Sequence, residues 1–493
     1  MKHYIINIVY ITLFVLSLCC GATSCGHPEK AEVCEEYPPI YPNYTEVTIP
    51  YNIAPLNFLM RNEPSRVEVS VKGKDRSLLL RSNYKVQFSE KRWRQLLEAE
   101  KGGELRVYVK ARVDGKWIQY APFSWTVAED SIDPYLSYRL IEPGYEVWNA
   151  IQLRERNLES FAERVIADNN LTGKSCMNCH TYSRNDPSLS FFHLRGEHGG
   201  TILNRNGTLR KLNTQAIGMP SSAVYGEIHP SGRYGVFSAN VIVPEFHTLD
   251  NKRLEVYDST SDVYLLDFDT NEIQPVPFPG KEGVEYLRSF PVFSPDGRTI
   301  YYCEAPKVAL PDSIIHLKYD LLGISFDPAT QAFGTEADTL YSSVTGGKSV
   351  CHPKVSPDGK YLLYTLADYG TFPIWHRETE LRMLNLRTGE TDSLEEVNAP
   401  CSDTYHSWSS DSRWFVFASK RDDGIYGKPY FAYIDHDGKA HKPFVLPQRD
   451  PAHYDYTLKS YNIPELSTGP LPFDAKDIER IWRDSEAEEV NWK

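Results

Sequence analysis

The chain has 493 residues, with 53 Lys+Arg against 66 Asp+Glu and a formal net charge of −13. That balance argues against a nucleic-acid binder, which needs a basic stripe to displace phosphate counterions. Charged residues at 24% and hydrophobic residues at 41% argue against wholesale disorder, and the length predicts two to four domains. The 32 Tyr and 13% aromatics favour strands, where large flat side chains pack on a pleated surface.

Residues 1–24 read as a secretory signal. Lys2 and His3 are a short polar start, and Tyr4 to Cys20 is an almost unbroken apolar run. Gly21-Ala22-Thr23-Ser24-Cys25 follows, with small residues before a cysteine. This resembles a bacterial lipobox, with Ala22 where leucine is usual, and implies lipidation at Cys25; an uncleaved membrane anchor and ordinary signal cleavage are the alternatives. The body is therefore expected outside the cytoplasm, in the periplasm or on the outer membrane. Residues 25–44 are acidic and Pro-rich in their second half (Pro38, Pro39, Pro42), as suits a tether.

Residues 45–130 predict a β-sandwich domain. Val67 to Val71 and Leu105 to Val113 alternate apolar with polar side chains, the period of a half-buried strand. Asp114-Gly115 is a hairpin turn, because both residues tolerate positive φ. Ser89 caps a predicted helix over 90–101, which Gly102 ends. Four or more strands in this length predict an immunoglobulin- or fibronectin-like sandwich.

The segment 131–188 is expected to hold a helix over Glu155 to Asn170 and then Cys176-Met177-Asn178-Cys179-His180. C-x-x-C-H is the spacing of c-type haem attachment: two thiols reach two vinyl groups, and the adjacent imidazole turns to the iron. This predicts one covalent haem c on Cys176 and Cys179, with His180 as the proximal iron ligand. His193, Met219 and His198 are the candidate distal ligands, with an open distal position as the alternative. The competing readings are a thiol–disulfide pair and a zinc site that needs a further ligand.

Beyond this a repeat appears. His229-Pro-Ser-Gly-Arg-Tyr, Ser294-Pro-Asp-Gly-Arg-Thr, Ser356-Pro-Asp-Gly-Lys-Tyr and Ser409-Ser-Asp-Ser-Arg-Trp each open a buried strand. Proline sets φ at the turn corner, aspartate bonds its own backbone, and glycine takes positive φ. Repeated four-strand units of this length are propeller blades. The pattern resembles the TolB-like, WD-repeat-like β-propeller family over residues 189–465, with six blades expected and seven the alternative. Tyr135 to Leu153, closed by Tyr454 to Ile463, supplies the sixth. Read together with Thr48 to Phe58, Phe192 to Thr201 and Lys420 to Gly424, the motif resembles exported TolB-like propellers that carry a single C-x-x-C-H. The resemblance implies fold and haem and names no reaction.

Three functions follow as expectations. The first is an exported, lipid-anchored cytochrome-like propeller that carries haem for electron transfer or ligand sensing and docks an envelope protein or polymer. The second is a non-redox scaffold or glycan-binding propeller. The third is a metal-dependent carbohydrate lyase, with His229, His352 and His406 at one mouth of the channel. In the repeat, His229 aligns with Ser294, His352 with Phe290 and His406 with Pro291, so the three do not share one position. No nucleophile elbow, H-E-x-x-H or phosphate loop occurs, which leaves enzyme activity open. Pairing of Cys34, Cys303, Cys351 and Cys401 is not readable. The tail, 466–493, predicts an acidic surface helix.

Overall fold

A computed structural model describes residues 31–142, 149–249 and 252–493. The signal run and Cys25 lie outside these residues.

The N-terminal domain pairs a seven-stranded sheet with a three-stranded one. Its centre is the strand Glu104–Val113, which pairs with Arg66–Lys72 along one edge and with Phe123–Ala128 and Lys116–Gln119 along the other. Alternation works as expected: Val67, Val69 and Val71 are buried beside Val107, Val109 and Ala111. The helix forms over Glu90–Ala99 and buries Trp93, Leu96 and Leu97. Trp93 and Trp125 meet edge to face at 5.4 Å. Each indole finds a carbonyl, Trp93 Nε1 donating to Ile53 (3.0 Å) and Trp125 Nε1 to Tyr44 (2.7 Å).

The rest of the chain is a β-propeller. Among the described residues six sheets follow one another. Their inner strands are Ser460–Ser467, Met177–Ser183, Ala223–Ile228, Tyr286–Phe293, Ser349–Val355 and Asp403–Trp408. Each inner strand touches the next, and the last touches the first, so the ring is closed. The first sheet joins both ends of the chain, because Ser460–Ser467 pairs with Tyr135–Ile141, ahead of Ile151–Asn157 and Glu163–Asp168.

Two expectations change. The helix predicted over 155–170 is instead the strands Ile151–Asn157 and Glu163–Asp168. The apolar residues Val165 and Ile166 sat at helical spacing, but Asn157 turns the chain, its side chain accepting from the Glu159 N–H at 3.0 Å and the Ser160 hydroxyl at 3.1 Å. The motif segment is likewise not an insertion ahead of the propeller. It is the innermost strand of the second sheet.

The repeat turns form as their residues dictate. Asp296 accepts the Arg298 N–H at 3.0 Å, and Ser294 Oγ accepts that of Thr299 at 2.9 Å. Gly297 and Gly359 take φ of +71° and +73°, and Ser412, which replaces glycine in the last copy, takes +63°. The tail helix Ala475–Asp484 carries a capping box between Asp474 and Asp477 and buries Ile478 and Ile481. Past it, Glu488–Glu489 and Asn491–Trp492 add parallel strands to the outer edges of the second and third sheets.

Sandwich and propeller share one hydrophobic core. Tyr44 Oη donates to the Val445 carbonyl (3.3 Å), and Lys442 Nζ to that of Thr45 (2.7 Å).

Candidate functional site: the axial cavity

The inner strands share an irregularity that shapes the propeller axis. In the second, fourth, fifth and sixth sheets the ladder slips between Asn178 and Thr181, Ser289 and Val292, Cys351 and Lys354, and Thr404 and Ser407. The first sheet slips opposite Ser137 and Arg139, which places the irregularity at Ile463-Pro464. The first residue of each bulge has positive φ: Cys179 +54°, Phe290 +54°, His352 +51°, Tyr405 +50° and Ile463 +53°. A bulge re-aims side chains that a regular strand would alternate between faces. Here every bulge residue and its successor line one cavity of about 260 Å³.

Cys179-His180 is therefore the second sheet's copy of a position filled by His352-Pro353 in the fifth and Tyr405-His406 in the sixth. The alignments of His352 with Phe290 and of His406 with Pro291 hold. His229 lies elsewhere, its Nδ1 near Ser231 Oγ (2.8 Å) and its Nε2 donating to the Gly297 carbonyl (3.1 Å). The three histidines expected at one mouth are thus two, and His180 joins them. Among the described residues no group of three or more His, Cys, Asp or Glu is placed to hold a metal ion.

The electrostatics of the cavity follow from burial. His180 is pulled down to about 3 by burial, with Arg139 and Lys354 adding to the effect. The Ser137 carbonyl partly opposes that fall, and Nε2 is buried with no partner. His406 is lowered to about 4 by burial, against the carbonyls of Leu363 and His352. Its Nε2 donates to Leu363 (3.0 Å), and its Nδ1 is buried without a partner. Arg139 Nε and Asn462 Oδ1, on the same cavity, are also unpartnered. Native interiors rarely leave such groups unmet, and each asks for an occupant that meets it.

Below the bulges sits a buried charge group. Lys354 Nζ lies 3.8 Å from Glu227. Glu465 accepts from Thr181 Oγ1 (2.9 Å) and the Tyr182 N–H (3.2 Å). Burial pushes Glu465 up to about 7. Burial also opposes the Lys354 charge, but Glu227 and Glu465 outweigh it and hold the ammonium above its ordinary range. Lys354 and Glu465 also line a smaller cavity of about 70 Å³ on the side of the repeat turns.

The other wall is apolar. The strands Tyr234–Leu249 and Lys252–Asp267 run past their sheet, so that Ile242 and Val256 reach the cavity and pack with Phe290 and Phe372. Glu255 fastens this hairpin, accepting from Tyr369 Oη (2.7 Å) and lying 3.4 Å from His376 Nε2.

The expected distal ligands do not line this cavity. His193 Nδ1 meets Thr201 Oγ1 (3.1 Å), and with His198 it borders a separate cleft. His198 packs edge-on against Trp482. Met219 accepts the Ala216 N–H on sulfur (3.2 Å) inside a core cluster.

The residues of the haem motif were tested against that group. Both thiols are unbridged, and burial pushes Cys179 up to about 12. The unpartnered imidazole of His180 has the chemistry of an iron ligand. The space is less favourable. Cys176 is not on the cavity wall and packs against the cluster around Met177 and Phe192. A volume of about 260 Å³ lies under the ~300–1,000 Å³ of ordinary small-molecule sites, and a tetrapyrrole is a large occupant.

No family model matches the chain, and no curated protein does. Solved structures give distant similarities. One is an oligogalacturonate lyase in complex with manganese (12% identity, TM-score 0.36, covering 63% of this chain and 73% of that one). Another is the β-propeller domain of the Trilobed protease from Pyrococcus furiosus (11%, 0.34, covering 63% and 82%). A third is prolyl oligopeptidase B from Galerina marginata (10%, 0.36, covering 69% and 42%). Likeness at this level carries no inference about activity.

Proposed function

We propose that this chain is an exported β-propeller, tethered to the envelope through lipid at Cys25, whose axial cavity binds a small ligand. One observation carries the reading: four buried polar atoms with no partner, on Arg139, His180, His406 and Asn462, belong to residues lining a single cavity. The bulges set His180 and His406 there, the Leu363 carbonyl holds the His406 ring through Nε2, and the Glu255 latch holds the long hairpin beside them. Sandwich and propeller share one core, and an envelope partner would dock on the surface they leave exposed.

A second reading is covalent haem c, favoured by the unbridged Cys176 and Cys179 and the unpartnered Nε2 of His180. When bound, such a group would supply one-electron chemistry or capture of a small gas. His180 would hold the iron, and Cys176 and Cys179 would hold the porphyrin.

Mass spectrometry of the protein purified from its own envelope separates the two. A mass excess seen only under native conditions, and lost in His406→Phe, supports the ligand site. A haem-sized excess that survives denaturation supports haem c. Native and denatured masses that both equal the mass of the lipidated polypeptide contradict both.

A further inference from the structure

Hydrogen-bonding groups line the axial cavity from several sheets, and some are already engaged. Lys354, from the fifth sheet, lies 3.8 Å from Glu227 and lines the cavity together with Glu465. Tyr225, from the third, accepts the Asn178 amide N–H at 3.5 Å, and His352 Nδ1 lies 3.5 Å from Thr404 Oγ1. Arg139, from the first sheet, is different. Its Nη1 donates to Asn178 Oδ1 (2.5 Å) and to the Met177 carbonyl (3.3 Å). Its Nε is buried with no partner. Among the described residues no carboxylate pairs with Arg139 and no acceptor meets its Nη2. Nε–H and the neighbouring Nη–H of a guanidinium point the same way and form a fork that grips a carboxylate through two parallel bonds. The Arg139 fork is open, on a side chain that lines the cavity.

Asn462 stands beside that fork. Arg139 and Asn462 are directly opposite each other on paired strands, so their side chains leave the same face of the sheet as neighbours. Asn462 Oδ1 is buried with no partner. A carboxylate in the fork has only acceptors to offer, so it leaves that oxygen unmet. A hydroxyl on the carbon next to the carboxylate supplies the missing donor. A single guanidinium without a counter-charge suits a single negative charge, which favours a carboxylate over a phosphate. The rest of the ligand meets carbon, because Val256, Phe290 and Phe372 belong to one apolar cluster and all line the cavity. Further hydroxyls also suit His180 and His406, since a hydroxyl meets an imidazole nitrogen whether that nitrogen gives or accepts.

We propose that the axial cavity binds a small 2-hydroxy carboxylic acid, its carboxylate in the Nε–Nη2 fork of Arg139, its hydroxyl on Asn462 Oδ1 and its carbon body against Phe290. The proposal rests on the axial-cavity reading above and adds the class of ligand. The mature chain is titrated by calorimetry with both enantiomers of lactate and mandelate, up to tens of millimolar. Phenylacetate lacks the hydroxyl, mandelamide lacks the charge, and inorganic phosphate lacks the carbon body. One-to-one binding of at least one 2-hydroxy acid is expected. Mandelate should bind at least about tenfold more tightly than mandelamide and about fivefold more tightly than phenylacetate, the effects of a charged and a neutral hydrogen bond. Arg139→Gln should weaken mandelate at least about tenfold and leave mandelamide unchanged. Asn462→Leu should bring mandelate down to the level of phenylacetate and leave phenylacetate itself unchanged. Circular dichroism and melting show whether each variant is folded, and if Arg139→Gln is not, the probe series and Asn462→Leu decide. No binding by lactate or mandelate overturns the proposal, as does mandelamide or phosphate binding as tightly as mandelate, or mandelate binding that the folded variants leave unchanged. If the 2-hydroxy acids fail while a co-purified ligand is still lost in His406→Phe, the class is wrong and the cavity reading stands.

Discussion

Replacing Glu465 by glutamine tests the buried charge group beneath the axial cavity. The Glu465 carboxyl ordinarily titrates near 4.5, and burial raises it to about 7 in the folded chain. Between those values the folded state holds a proton that the unfolded state releases, so the contribution to stability is full below pH 4.5 and is lost as pH rises through 7. At about 1.4 kcal/mol per pKa unit, that loss is roughly 3 kcal/mol by pH 8. Glutamine keeps an oxygen for the Thr181 hydroxyl and the Tyr182 N–H but has no charge to desolvate. Glu465→Gln should exceed the parent chain by less than about 1 kcal/mol at pH 5 and by up to about 3 kcal/mol at pH 8. Asp258 and Glu163, which burial also raises to about 7, occur in both proteins and cancel in the difference. Urea unfolding at the two pH values reads this directly. Parallel pH profiles for the two proteins, or a variant less stable at pH 8, would refute the argument that burial sets the Glu465 pKa.

Three further outcomes follow from particular contacts. Trp125→Ala removes a fully buried indole packed on Phe88, Trp93 and Phe123; it should cost about 3–5 kcal/mol in denaturant unfolding, and a cost under about 1 kcal/mol would show that the site collapses. Asp133→Ala removes the acceptor of the Ser410 N–H (2.8 Å) and hydroxyl (2.6 Å), which tie the interdomain linker to the last repeat turn; a loss of about 1–3 kcal/mol is expected by the same assay. Glu255→Ala releases the long hairpin from Tyr369 and His376, so amide exchange at residues 254–258 should quicken several-fold while the Leu105–Val109 core is unchanged, and unaltered exchange in the hairpin would show that apolar packing alone holds it.

The parts of the fold legible in the sequence are those set by local chemistry. The Ser-Pro-Asp-Gly turns form through the Asp and Gly interactions that their composition implies, and the alternation in residues 67–71 and 105–113 places the sandwich strands. The 155–170 segment misleads because two short strands with their apolar residues close together mimic helical spacing, and a single asparagine decides the turn. The site was half legible. C-x-x-C-H marked His180, and the repeat alignment paired His352 with Phe290. That these positions share a positive-φ bulge facing the axis depends on strand register, which pairing across a sheet determines and no single strand records. His406 was visible only as a residue near a repeat turn, and Asn462 carries no signal at all, because its role comes from a strand that returns from the far end of the chain to close the first sheet.

The central claim is that the axial cavity is a binding site. An electron-density map of the protein purified from its own envelope, with nothing added, tests it most directly. The account predicts density for one small molecule within hydrogen-bond distance of His180 Nε2, His406 Nδ1 and Asn462 Oδ1. A cavity holding only scattered water, with those three atoms bonded to other protein groups, would contradict it.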